Sequence, residues 1–308
     1  MRRVLAVLGA AAMIAAAVLV RRALDDDGRD RSNADDRVVI VCAADLEAYC
    51  EAFGTEVEVR LADAAATADE VRGDALADDV DGWVTSTAWL ELLGDDAEPL
   101  GEAELLASSP VVVAALADRA GDLDDLCGRD PLWRCLATAA GATWDELGID
   151  RPGRVEVGLP SADTALGLPV LASVAAGSFD GVAFASNDFD ADFRARLGTL
   201  VGPSGRGDAD PVRTMVTQLG RYSAAGTTAA RVADLGNDDV RPLDTSPAVL
   251  ATIALVAVDG GDDLPSGAPV RDALVAERWT AASGDDVAAT LKDGVMSALH
   301  EVWLEALR

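Results

Sequence analysis

Apolar residues in this chain fall into short β-branched runs and longer stretches with helical spacing. The run 38–42, VVIVC, is continuous and β-branched, the pattern of a strand buried on both faces. Residues 57–61 alternate at the period of a second strand, and 81–85, DGWVT, predicts a third. Between them 46–53 and 65–76 read as helices, and Ser86 and Thr87 cap a further helix carrying Trp89, Leu90 and Leu93. The order β-α-β-α-β-α predicts a parallel sheet with helices on its faces. Ligands in such sheets sit at the carboxyl ends of the strands. Those ends carry Ala44, Asp45, Ser86 and Thr87.

Farther along, 110–116, PVVVAAL, predicts another buried strand, with Ser108 and Ser109 directly before it. Residues 123–140 read as a helix, 144–147 as a helical turn, and 185–200 and 211–222 as helices. Thr227 and Thr228 open a further capped helix. The loop 202–207, GPSGRG, follows a helix and not a strand, so it does not read as a phosphate-binding loop. The segment 248–258, AVLATIALVAV, fits a strand or a buried helix on period alone, and its β-branched end favours strand. An amphipathic helix is expected over 285–308, with Leu291, Val295, Leu299, Val302 and Trp303 at near-helical spacing.

The stretch 154–177 reads as a strand, a tight turn and a helix. Val155 and Val157 alternate, and Gly158 and Pro160 break the run. Ser161, Asp163 and Thr164 are helix N-cap types, whose short side-chain oxygens accept first-turn N–H groups. Pro169 cannot lie deep in a helix without losing a hydrogen bond, which places the helix start near Thr164. Hydroxyls at a helix mouth suit a small polar ligand; a plain capped helix with no ligand is the other reading.

Half of the 308 residues are apolar, enough for one large or two ordinary domains. The formal charge of −29 repels phosphate backbones and argues against a nucleic-acid partner. At the N-terminus, Arg2 and Arg3 precede an apolar run, 4–20, closed by Arg21 and Arg22. That run is long enough for a short membrane anchor, which we set ahead of a cleaved signal peptide. The polar run 25–36 reads as a solvated spacer, so residues 1–24 and 25–36 are an anchor and an acidic linker, with the body outside the cell. Four cysteines form two close pairs, Cys42 with Cys50 and Cys127 with Cys135, each eight apart. Three pairings are open, and local disulfides are the simplest. Metal binding is the rival, but no pair has CxxC spacing and His300 is the single histidine.

Nothing assembles into a catalytic set, and no cofactor is expected. His300 reads as a surface or flanking residue, and Trp89, beside Ser86 and Thr87, is the one tryptophan expected near a cleft.

The ordered segments VVIVCAADLEAYCEAF, DGWVTSTAWL, ASSPVVVAAL, VGLPSADTALGLPVL and TSPAVLATIALVAV resemble type II periplasmic solute-binding proteins, in particular membrane-anchored extracellular members from actinobacteria. The resemblance implies an α/β, two-lobed type II periplasmic-binding-protein-like fold. Each lobe is a mainly parallel sheet flanked by helices, and two crossover strands join them. It makes 110–116 the outward crossover and 247–258 the return, with lobe one at 37–114 and 247–308 and lobe two at 115–246. Carried over by position, the ligand contacts are Ala44, Asp45, Ser86, Thr87, Ser108, Ser109, Ser161, Asp163 and Thr164, with Thr227 and Thr228 as weaker candidates. The implied partners are a small polar solute and an ABC permease. A degenerate binding fold used for surface interaction or sensing is the alternative. Asp45 and Asp163 stand where oxyanion-binding members offer neutral donors. A carboxylate there already uses the helix dipole, which puts a neutral or cationic organic ligand, or a metal ion, ahead of an oxyanion.

Overall fold

The computed structural model describes residues 37–77, 79–128, 130–179, 181–202, 207–258, 264–282 and 294–308. The apolar run 4–20, the spacer 25–36, most of the loop 202–207 and the first part of the predicted helix 285–308 lie outside the described residues.

Among the described residues nine strands form one sheet path with two branches. In chain order they are β1 (Val38–Ala43), β2 (Val57–Ala62), β3 (Gly82–Ser86), β4 (Leu100–Leu116), β5 (Val157–Gly158), β6 (Ala224–Thr228), β7 (Val240–Asp244), β8 (Leu250–Val258) and β9 (Thr280–Ala281). β1 pairs in parallel with β2 and β3, as β-branched strands joined by helices require. β5 and β6 also pair in parallel. The two long apolar strands, β4 and β8, run antiparallel to their neighbours. Up to Pro110 β4 pairs with β8, and from Val111 onward with β6 and β7. β9 pairs with β4 at Ala107 and Ser108.

The helices are α1 (Glu47–Cys50), α2 (Ala64–Arg72), α3 (Thr87–Leu93), α4 (Ala117–Cys127), α5 (Leu132–Ala139), α6 (Gly167–Phe179), α7 (Ala191–Val201), α8 (Pro211–Thr217), α9 (Ala229–Asp234), α10 (Ala268–Ala276) and α11 (Val295–Ala306). The expected helix over 123–140 is two helices, because Gly128, at φ +56°, and Pro131 separate α4 from α5. The expected turn at 144–147 is a hydrogen-bonded turn around buried Trp144. α8 stops at Thr217, ahead of Gly220 at φ +90°. The ambiguous segment 248–258 is a strand, β8.

Both cysteine pairs close locally as Cys42–Cys50 and Cys127–Cys135. The first joins β1 to the last residue of α1 and so brackets the turn that carries Asp45. The second ties the end of α4 to α5. α6 is almost wholly buried, which is why its sequence shows no polar face. Trp133 of α5 lies against it and donates its indole N–H to Ser173 Oγ at 2.9 Å. At its far end Phe179 packs among Phe184, Phe189 and Phe193, with ring centroids 5.1, 5.9 and 5.0 Å away.

Candidate functional site

The best-defined polar constellation lies where the carboxyl ends of β1 and β3 meet the turn leading into α6. β1 ends at Ala43, and a single 3-10 turn, Ala44–Leu46, follows. Leu46, its last residue, is fully buried, and the Cys42–Cys50 bond links the residues on either side of the turn. Asp45 is thereby held at the strand end. Its carboxylate accepts two backbone N–H groups: Ala165 on Oδ1 at 3.0 Å and Leu166 on Oδ2 at 2.9 Å. Burial raises the Asp45 carboxyl above its ordinary value, and the N–H bonds from Leu166 and Ala165 offset part of that rise.

The turn itself is built by its own hydroxyls. Thr164 donates its hydroxyl to Ser161 O at 2.8 Å and accepts the N–H of Gly167 at 3.0 Å. Ser161 Oγ accepts the N–H of Asp163 and faces Asp163 Oδ2, both at 3.3 Å. Gly167 is fixed by close approach: a Cβ there would lie 1.7 Å from Ser161 O. The expected helix start near Thr164 is therefore corrected to Gly167. Ser161, Asp163 and Thr164 shape the turn, and the N–H groups of Ala165 and Leu166 are met by Asp45 from 120 and 121 residues away.

Three more elements hold the same turn. The N–H of Ala65, in the first turn of α2, donates to Asp163 O at 3.0 Å. Trp89 of α3, buried in the core, donates its indole N–H to Thr164 O at 2.9 Å. His300 of α11 places Nε2 3.2 Å from Asp163 Oδ1, and its ring meets Trp89 edge-on, with centroids 5.4 Å apart. His300, expected as a flanking residue, is a member of this cluster. No local pattern could have found it, since its partner is 137 residues away. The arrangement is not a hydrolytic triad: the carboxylate sits next to both the serine and the imidazole, whereas that chemistry needs the imidazole between the other two.

The other expected contacts fall elsewhere. Ala44 is exposed and Thr87 half-buried. Ser86 is fully buried at the end of β3, and its Oγ has no hydrogen-bond partner among the described residues; Thr85 Oγ1 and Thr252 Oγ1 share that condition. Ser108 is buried within β4, opposite Thr252 and Thr280. Ser109 Oγ accepts the N–H of Ala230 at 3.0 Å, and Thr228 Oγ1 accepts that of Arg231 at 3.2 Å, so both cap α9. Thr227, expected to open that helix, lies in β6 opposite Val112. The structure thus joins Ser161, Asp163 and Thr164 directly, brings Asp45 onto the N–H groups of Ala165 and Leu166 that follow them, and uses Ser109 and Thr228 as caps of α9 instead. Among the described residues no group of three or more His, Cys, Asp or Glu side chains gathers as a metal ligand set.

No protein-family model and no curated protein sequence matches this chain. Solved structures do. A ferric binding protein from Campylobacter jejuni superposes with a TM-score of 0.56 at 12% identity, covering 88% of this chain and 97% of that one. Iron-bound HitA from Pseudomonas aeruginosa gives 0.54 at 13%, covering 87% and 99%. The periplasmic binding protein AfuA from Actinobacillus pleuropneumoniae, with fructose-6-phosphate bound, gives 0.51 at 9%, covering 88% and 96%. The fold is that of the two-lobed periplasmic binding proteins. The Campylobacter jejuni and Actinobacillus pleuropneumoniae neighbours are binding proteins, and HitA is iron-bound.

Proposed function

We propose that this chain is an extracytoplasmic binding protein of the type II class, similar to the membrane-anchored members from actinobacteria. In this reading residues 4–20 tether it to the membrane, and 25–36 space it from the surface. Lobe one, 37–114 and 247–308, and lobe two, 115–246, hold a small polar solute between them for an ABC permease. The observation that carries the reading is the convergence of β1, α2, α3 and α11 on one turn, 161–166, at the mouth of α6. Polar groups drawn together from distant segments at strand ends are the usual make-up of a solute site in an open α/β sheet. With carboxylates at 45 and 163, a neutral or cationic organic solute fits better than an oxyanion.

Thermal-shift and calorimetric titration of the soluble body with polyols and sugars, organic cations, and oxyanions tests this. The expected result is saturable stabilisation by a neutral or cationic class, with no effect of oxyanions. Absence of stabilisation by every class would overturn the solute reading. It would support a second one, a surface interaction or sensing module with no small solute. One observation favours that second reading: Asp45, Trp89, Ala65 and His300 already satisfy the turn that a solute would otherwise touch.

A further inference from the structure

Asp45 sits on the N–H groups that lead into α6. α6 is a thirteen-residue helix, and its entry N–H groups form a partial positive charge suited to an anion. The group seated there is a side chain from a strand-end turn 120 residues away in sequence, held by both of its oxygens. Pro169 brings no N–H to the first turn, and the N–H of Gly167 is taken by Thr164 Oγ1. Asp45 therefore meets the N–H groups of Ala165 and Leu166, the two residues directly before the helix. A second polar group stands near. Val84 of β3 is level with Cys42 of β1, so Ser86 ends its strand beside the Ala44–Asp45 turn. Its buried hydroxyl has no partner among the described residues.

We infer that Asp45 is an internal carboxylate ligand: it occupies the seat that a solute carboxylate would take, ties the two sides of the cleft together, and excludes small anionic solutes. The inference rests on reading the cleft as a solute site for its biological meaning. The exchange of one carboxylate for another is read on variants and does not depend on which solute the wild type takes. Removing the side chain frees a seat for one small carboxylate, with formate and acetate as the minimal fits.

The experiment compares the wild type, Asp45→Gly and Asp45→Asn in sodium acetate or formate against sodium chloride at equal ionic strength, by thermal unfolding. Asp45→Gly is expected to be stabilised by acetate, saturably and by a few degrees more than by chloride. The wild type, and Asp45→Asn with its seat still filled, should show no difference between the salts. Asp45→Ser, which keeps one short acceptor, is run alongside. If both small variants fold too poorly to melt, recovery on refolding in acetate against chloride is the readout. No acetate advantage for either small variant, or an equal advantage for all chains, would overturn the inference. Absence of any solute for the wild type would instead count only against the proposed function.

Discussion

Asp45 Oδ2 accepts the N–H of Leu166 at 2.9 Å across 121 residues of sequence. The companion bond from Ala165 makes this a two-oxygen clamp between a strand end and a helix mouth. Asp45→Ala leaves both N–H groups without their acceptor. An unmet buried donor costs about 1–3 kcal/mol, and water entering the vacated space recovers part of that. Urea unfolding should show a loss of about 2 kcal/mol with the urea dependence (m-value) unchanged.

Trp89 holds the same turn from α3, through its indole N–H on Thr164 O. Trp89→Phe keeps most of the buried ring and removes the donor, so about 1–2 kcal/mol should be lost. In a double-mutant cycle with Asp45→Ala the two losses should fall short of additivity, because both contacts order one turn. Strict additivity would mean that the turn is not a single unit.

Gly167 has no room for a side chain, with Ser161 O 1.7 Å from where a Cβ would stand. The obstacle is backbone and cannot rotate away. Gly167→Ala should therefore cost about 3 kcal/mol or more, the upper end for overpacking. Gly198→Ala, in a helix with open space around the Cβ position, is the control and should be neutral or stabilising. Equal stability of the two variants would contradict the geometry of the turn.

Two carboxyls shifted by burial contribute a pH slope to stability. Burial lifts Glu91 from an ordinary 4.5 to about 7 and raises Asp45 above 3.8. In this range the folded state keeps protons that the unfolded chain has already released. Stability therefore falls as pH rises from the unfolded values through the folded ones, and no contribution changes below them. Glu91→Gln should remove the part of the slope between about 4.5 and 7. Screening around a side chain that is not fully enclosed reduces its share to about 2 kcal/mol. Denaturation midpoints of the wild type and the variant across that range check this. A wild-type stability that rises with pH through the window would contradict the assignment for Glu91.

Each disulfide spans a separation of eight residues. Chain-entropy arguments give about 2.5 kcal/mol for so short a loop. Replacing Cys42 and Cys50 by alanine should cost about that much, and it should also weaken the Asp45 clamp, because the bond brackets the Asp45 turn. Replacing Cys127 and Cys135 should lower stability without that second effect. Hydrogen exchange at Ala165 and Leu166 separates the two cases.

Much of the fold was legible where local chemistry decides it. β1, β2, β3 and β8 are β-branched or alternating runs, and the cysteine pairs close within one turn of chain. The ordered segments imply the two-lobed fold that the comparisons with solved structures support. Other elements left no such mark. β7 is largely exposed and contains Pro242, β9 has two residues, and the first half of β4 carries Gly101, Glu102 and Glu104. In the site, Ser161, Asp163 and Thr164 announced a polar turn, and Asp45 a polar strand end. That Asp45 serves as the acceptor for that turn, with Trp89 and His300 beside it, depends on tertiary packing over 75–137 residues of separation. The hydroxyls of Ser109 and Thr228 looked equally available and proved to be caps of α9.

The most direct measurement is a pH titration of the Ala165 and Leu166 amide protons by nuclear magnetic resonance. The clamp predicts that both lie downfield and move together upfield as pH falls. Their shared midpoint should lie above the ordinary carboxyl value of 3.8, and both effects should vanish in Asp45→Asn. Amide protons that do not respond to pH, or that respond equally in Asp45→Asn, would contradict the account.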